Sequence, residues 1–178
     1  MYEEGVQTYT AMFEGFHGAA TRFLEAVENG WATQTYVALF EALNWAVVLD
    51  ERTAKIWAPR GEILGWDWRG EIEGAEMLRG VRFARNSMHH DWSEVLELAA
   101  SEHLQEGEPL PNQQWIWREV ANLPRRGKDE PDAEAVYIEQ LAGRLVRSTL
   151  VGLYFGFDLL RSFLEPSLLH NSGPERPT

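Results

Sequence analysis

The stretch "RFARNSMHHDW", residues 82–92, decides how the rest of the chain is read. With Arg82 at zero and about 100° per residue, Asn86 falls near 40°, His90 near 80°, Arg85 near 300° and His89 near 340°. These polar groups share one sector of about 140°. Met77, Val81, Ala84, Met88, Trp92 and Val95 fall together between about 200° and 280°, the face expected to be core. Such a split has the helical period and predicts an amphipathic helix over about residues 71–100.

Working outward, three more segments repeat apolar residues at threes and fours. The first covers about residues 5–28, with Tyr9, Met12, Phe13, Phe16, Ala20, Phe23, Leu24 and Val27, and Asn29-Gly30 ends it. The second covers about 33–57, with Tyr36, Leu39, Phe40, Leu43, Val47 and Ile56, and Pro59 is expected to stop it. A turn-rich connection, "APRGEILGWDWRG", leads to the helix already described, which is third in order. The fourth covers about 132–164, from Asp132 as N-cap to just before Pro166. Between the third and fourth lies a segment bracketed by proline, about 105–131. Its middle, "QQWIWREV", alternates apolar and aromatic residues as a short strand or hairpin arm would. The expectation is an all-α, up-and-down four-helix bundle with a small irregular or β insertion between helices three and four. Residues 1–166 are read as a single domain and 167–178 as a disordered tail.

The composition narrows the function. Of 178 residues, 28 are acids and 16 are bases, a formal net charge of −12. A chain so acidic is a poor general binder of nucleic acid or anionic membranes, which need a positive surface. A local basic cleft in an acidic body stays open. With no cysteine, thiolate catalysis, disulfides and cysteine-ligated metals are excluded. The opening "MYEEGVQTYT" lacks the basic and apolar regions of a secretory signal, and the most apolar run, "STLVGLYFGFDLL", is interrupted by Gly152, Gly156 and Asp158. A cytoplasmic protein with no membrane association is expected.

Charge is not spread evenly. From Met77 to His90 there is no acid, while Arg79, Arg82 and Arg85 supply three positive charges. Glu71, Glu73 and Glu76 precede this island, and Asp91, Glu94 and Glu97 follow it. A site for an anion such as a phosphodiester has this pattern. Asn86 and His90 are one turn apart, about 6 Å along the axis, near enough to act on one group.

"Arg-Asn-x-x-x-His", here Arg85 to His90, resembles the signature of the HEPN superfamily of all-α bundles, many of them metal-independent endoribonucleases of toxin–antitoxin and phage-defence systems. The resemblance covers about ten residues and the four-helix layout. It implies Arg85 and His90 as the catalytic pair with Asn86 as polar partner, a homodimer that sets two motifs across one cleft, and an RNA substrate. It also implies a protein partner of the antitoxin kind. Arg82 and His89 are additional candidates, for substrate binding. No metal and no cofactor is implied.

The residue types suit that chemistry. Metal-free RNA cleavage uses the 2′-OH as nucleophile and builds charge on the phosphorane oxygens. A histidine of ordinary pKa near 6.5 can move the proton, and a fork-shaped, always charged arginine can hold the phosphate. His89 lies between Arg82 and Arg85 on the projection, whereas His90 lies beside Asn86 and towards Phe83. His90 is therefore expected to be the acid–base group and His89 a hydrogen-bond donor to phosphate. The second expectation is a two-fold axis near helix three.

Plainer readings stand beside this one. The stripe is also what a solvated helix face looks like when its arginines pair with nearby glutamates. A catalytically inactive bundle, acting as a dimeric interaction or scaffold module, has the same sequence features. The adjacent histidines diverge by about 100° and make a poor metal pair, and His90 with Glu94 or His103 makes at best a weak one. His17 and His170 are isolated. The tryptophans of "GWDWRG" and "WIWREV" are read as loop packing rather than base-stacking platforms, and Arg144 and Arg147 as surface or ion-pair residues.

Overall fold

The apolar periods of the first two segments become α1 (Tyr2–Glu28) and α2 (Ala32–Leu64). A computed structural model describes residues 2–64, 68–72, 74–91, 95–98, 114–120 and 131–164; for 2–7, 56–64, 68, 71, 90, 91, 131 and 164 it describes the backbone alone. The α1–α2 turn falls where Asn29-Gly30 predicts it. Gly30 takes a φ of 68°, open to glycine at little cost, and the Trp31 N–H donates back to the Ala26 carbonyl at 2.8 Å. α2 does not stop before Pro59. It continues through the proline to Leu64, so one missing donor does not end a helix of 33 residues.

The third and fourth expected helices are bounded differently from the sequence reading. The turn-rich connection holds a short α3 (Trp68–Glu71), and the amphipathic segment forms α4 (Leu78–Asp91), ending well before residue 100. Leu96–Leu98 is a strand, β1, antiparallel to β2 (Trp115–Trp117), with Leu96 opposite Trp117. The residues of "VLEL" suit either a helical or an extended period, and pairing decides between them. Val95 and Leu96 are buried beside Trp117, and the Arg118 N–H donates to the Val95 carbonyl at 2.8 Å. β2 lies in "QQWIWREV", where a strand is expected.

The fourth segment is broken in two, α5 (Pro131–Gln140) and α6 (Val146–Leu164). The break is built around Gly143, whose φ of 71° an L side chain rarely adopts. Its N–H donates to the Trp117 carbonyl at 2.9 Å, and the Trp117 N–H donates to the Arg144 carbonyl at 2.9 Å. The turn therefore satisfies the second edge of β2, which an unbroken helix would leave open.

Helix α1 packs on α2 and α6, and α4 lies between α2 and α5. The core joins Phe13, Phe16 and Phe23 of α1 to Leu39, Leu43 and Leu49 of α2, with Val81 and Ala84 from α4 and Leu153, Phe157 and Leu160 from α6, all at most 1% exposed. The first and last helices are tied by the Tyr9 hydroxyl, which donates to the Phe157 carbonyl at 3.1 Å. The described chain is thus mostly helical with one small two-stranded sheet, and none of its described helices is long and apolar enough to cross a membrane. Most of the expected insertion and the tail after Pro166 lie outside the described residues.

Candidate functional site

Helix α4 is covered on two sides. Val81, Ala84 and Met88 are buried as the helical projection requires, and Phe83 and Ser87 are buried as well. The Phe83 ring meets Tyr137 of α5 at 5.0 Å. Close approach to α5 depends on Gly80: a Cβ there would stand 3.0 Å from the backbone of Tyr137. The remaining side carries Arg82, Arg85, Asn86 and His89, spaced i, i+3, i+4 and i+7, so one stripe runs along the helix.

Each member of that stripe has a different environment. Arg82 is held by α2: its Nη2 donates to Asp50 Oδ2 at 3.0 Å and its Nη1 to Glu51 Oε1 at 3.1 Å. Burial opposes the charge on Arg82, but the bonds to Asp50 and Glu51 outweigh it and raise its pKa. Asp50 is itself inside the protein, its side chain 2% exposed, and it takes a second guanidinium from α3: Arg69 Nε and Nη2 donate to Oδ1 at 2.9 and 2.6 Å. Two guanidinium groups on one buried carboxylate close α2, α3 and α4 together.

Arg85 is different. Its Nη1 donates to the Asn86 side-chain oxygen at 3.0 Å, no carboxylate among the described residues pairs with it, and its Nε is buried with no hydrogen-bond partner. One turn on, His89 is exposed, and its ring stacks on Phe40 of α2 at 6.0 Å with 9° between the planes. The His90 side chain lies outside the described residues; its backbone continues α4.

The positive island is therefore met unequally. Arg79 reaches Asp132 of α5 at 3.9 Å across an exposed gap, Arg82 is neutralised by α2, and among the described residues Arg85 meets only the Asn86 amide. Among the described residues no group of three or more His, Asp and Glu is placed to hold a metal ion. The geometry brings together Arg82, Arg85, Asn86 and His89 from the sequence reading. That reading missed Asp50, Glu51, Arg69 and Phe40, which position them. One signal was available: Asp50 continues the apolar series Leu39, Leu43 and Val47 of α2, and an acid in a core register asks for a buried partner.

No protein-family model, no curated protein and no solved structure matches the chain.

Proposed function

We propose that the α4 stripe binds an RNA phosphodiester and that the chain is a metal-independent endoribonuclease of the HEPN kind, working as a homodimer in the cytoplasm. The observation that supports this is Arg85. Its guanidinium meets no acid among the described residues, and its buried Nε lacks an acceptor, beside Asn86 and a turn from His89. A buried donor left without a partner costs about 1–3 kcal/mol, and an anion at the stripe would offset that cost. In the proposed reaction the 2′-oxygen attacks the adjacent phosphorus and the P–O5′ bond breaks. The 2′-hydroxyl proton passes to His90, which returns a proton to the leaving 5′-oxygen, so a 2′,3′-cyclic phosphate remains. Arg85 holds the charge that builds on the phosphorane oxygens, and His89 donates to a phosphate oxygen. The finer reading of the fold belongs with this: α1, α2, α4 and α6 as the four helices of the bundle, with α5 against α4. An antitoxin-like protein is the partner that such an activity implies.

The test is cleavage of RNA by the purified chain in EDTA, with the new ends examined for cyclic phosphate. Arg85→Ala and His90→Ala are each expected to lower the rate at least 100-fold with little change in melting temperature. His89→Ala is expected mainly to weaken RNA binding. No cutting by the intact protein, or cutting that Arg85→Ala leaves unchanged, overturns the reading.

A second reading has its own observation. Arg82 is held by Asp50 and Glu51, so one of the three arginines of the expected cationic island serves the fold. That favours an inactive bundle acting as a dimeric interaction module. Under it, RNA is uncut and unbound, and substitutions on α4 change only association with the partner.

A further inference from the structure

Away from the α4 stripe, a cavity of about 170 Å³ opens where the end of α1, the start of β2 and the start of α6 meet. Phe23, Leu24 and Val27 of α1, Trp115 of β2 and Leu145 just before α6 form its apolar walls. These walls are held from behind. The backbone of Leu145 pairs with that of Ile116 in β2, and the Trp115 ring meets Tyr36 of α2 edge-on at 6.1 Å. An apolar cavity of about 150 Å³ takes a benzene ring, so this one has room for an apolar body of that size.

The mouth is charged. Glu28 and Arg147 border the cavity, with Gln114 beside them. Glu28 is the last residue of α1, where the helix dipole favours a cation, and Arg147 is the second of α6, where it favours an anion. Each charge stands at the helix end that disfavours it, so neither is explained by the stability of its own helix. Nor do they serve each other. Among the described residues neither Glu28 nor Arg147 forms an ion pair or a side-chain hydrogen bond. Side chain and helix end add in sign, which makes a negative pole at Glu28 and a positive pole at Arg147 on one rim.

We infer that this cavity binds a free α-amino acid with a large apolar side chain, of the size of phenylalanine. Such a ligand carries both charges on one carbon, with the apolar body attached to that carbon. Its carboxylate meets the Arg147 guanidinium, whose fork can hold both oxygens, and its ammonium meets Glu28. Its side chain fills the hollow, where Phe23 and Trp115 supply aromatic neighbours. The end of a long peptide offers one of the two charges, and an aromatic or fatty acid offers only the negative one. The paired poles therefore select the free amino acid. No residue of the α4 stripe borders the cavity, so the inference does not rest on RNA cleavage.

Isothermal titration of the full chain with L-phenylalanine tests it. Phenylpropionate, phenethylamine and glycine serve as probes that lack the ammonium, the carboxylate and the apolar body in turn. The expected result is saturable binding of L-phenylalanine with a Kd below about 1 mM, and binding of each probe weaker by at least about 10-fold. No binding of L-phenylalanine at about 10 mM, or a probe that binds as tightly, overturns the inference. Arg147→Ala and Glu28→Gln locate the site. Both side chains are exposed and oppose the dipoles of their helices, so neither variant should lower the melting temperature of the free protein. Each should nevertheless weaken L-phenylalanine by at least about 10-fold. Binding that both variants leave unchanged overturns the inference.

Discussion

Asp50 is the residue on which the α4 stripe depends. Its carboxylate is out of water and holds two guanidinium groups that are each about three-quarters covered, their side chains 24% and 25% exposed. Breaking such a cluster from one side leaves cations facing a neutral group, a loss of several kcal/mol in comparable buried pairs. Asp50→Asn is therefore expected to lower unfolding free energy by about 3 kcal/mol in urea titrations. Glu51→Gln, which removes only a half-exposed partner, should cost less than about 1 kcal/mol. Equal losses would mean that the two acids share the work. The stripe itself was legible in the sequence, because Arg82, Arg85, Asn86 and His89 need only the helical period to be placed side by side. What neutralises Arg82 was not, because Asp50 lies 32 residues away and a helical projection carries no information about the neighbouring helix.

At the scale of elements, glycine sets how near α4 and α5 can come. Alanine is the better helix former by about 1 kcal/mol, so Gly80→Ala gains locally. Its Cβ would press on the Tyr137 backbone at 3.0 Å, and overpacking of a fixed backbone costs about 1–3 kcal/mol. The expected net result is a loss of about 1 kcal/mol, read as a lower urea midpoint. Gly70→Ala, with open space around the added carbon, should be neutral or stabilising. The existence of the helices was legible wherever apolar residues kept one period over several turns, as in α1 and α2. The boundaries that failed are those set by partners distant in sequence. Residues 96–98 become a strand because Trp117 needs a neighbour, and residues 141–145 leave the helix because β2 needs donors and acceptors on its second edge. Gly143 was visible in the sequence, but a lone glycine inside a helical period does not say whether it kinks, caps or breaks.

For the whole molecule, two buried phenols set an alkaline limit. Burial raises the pKa of both Tyr9 and Tyr137 above the usual value near 10. Above about pH 10 the unfolded chain releases these protons while the folded chain keeps them. Their contribution is therefore complete below pH 10 and is lost as pH rises beyond it, at up to roughly 1.4 kcal/mol per pH unit for each tyrosine. Unfolding free energy measured from pH 8 to 11 should fall accordingly, and Tyr9→Phe should reduce the slope by about half of the tyrosine share. A flat profile would show that these phenols are hydrated. The bond between Tyr9 and Phe157 has a further consequence while the chain is being made. At about 5–20 residues per second, the 148 residues that separate them take roughly 7 to 30 s to emerge from the ribosome. Until then Phe13 and Phe16 lack Tyr154 and Phe157, the rings that cover them from α6. A nascent chain stalled before residue 146 would present that uncovered α1 face to chaperones, and release of the chaperone should coincide with the arrival of α6.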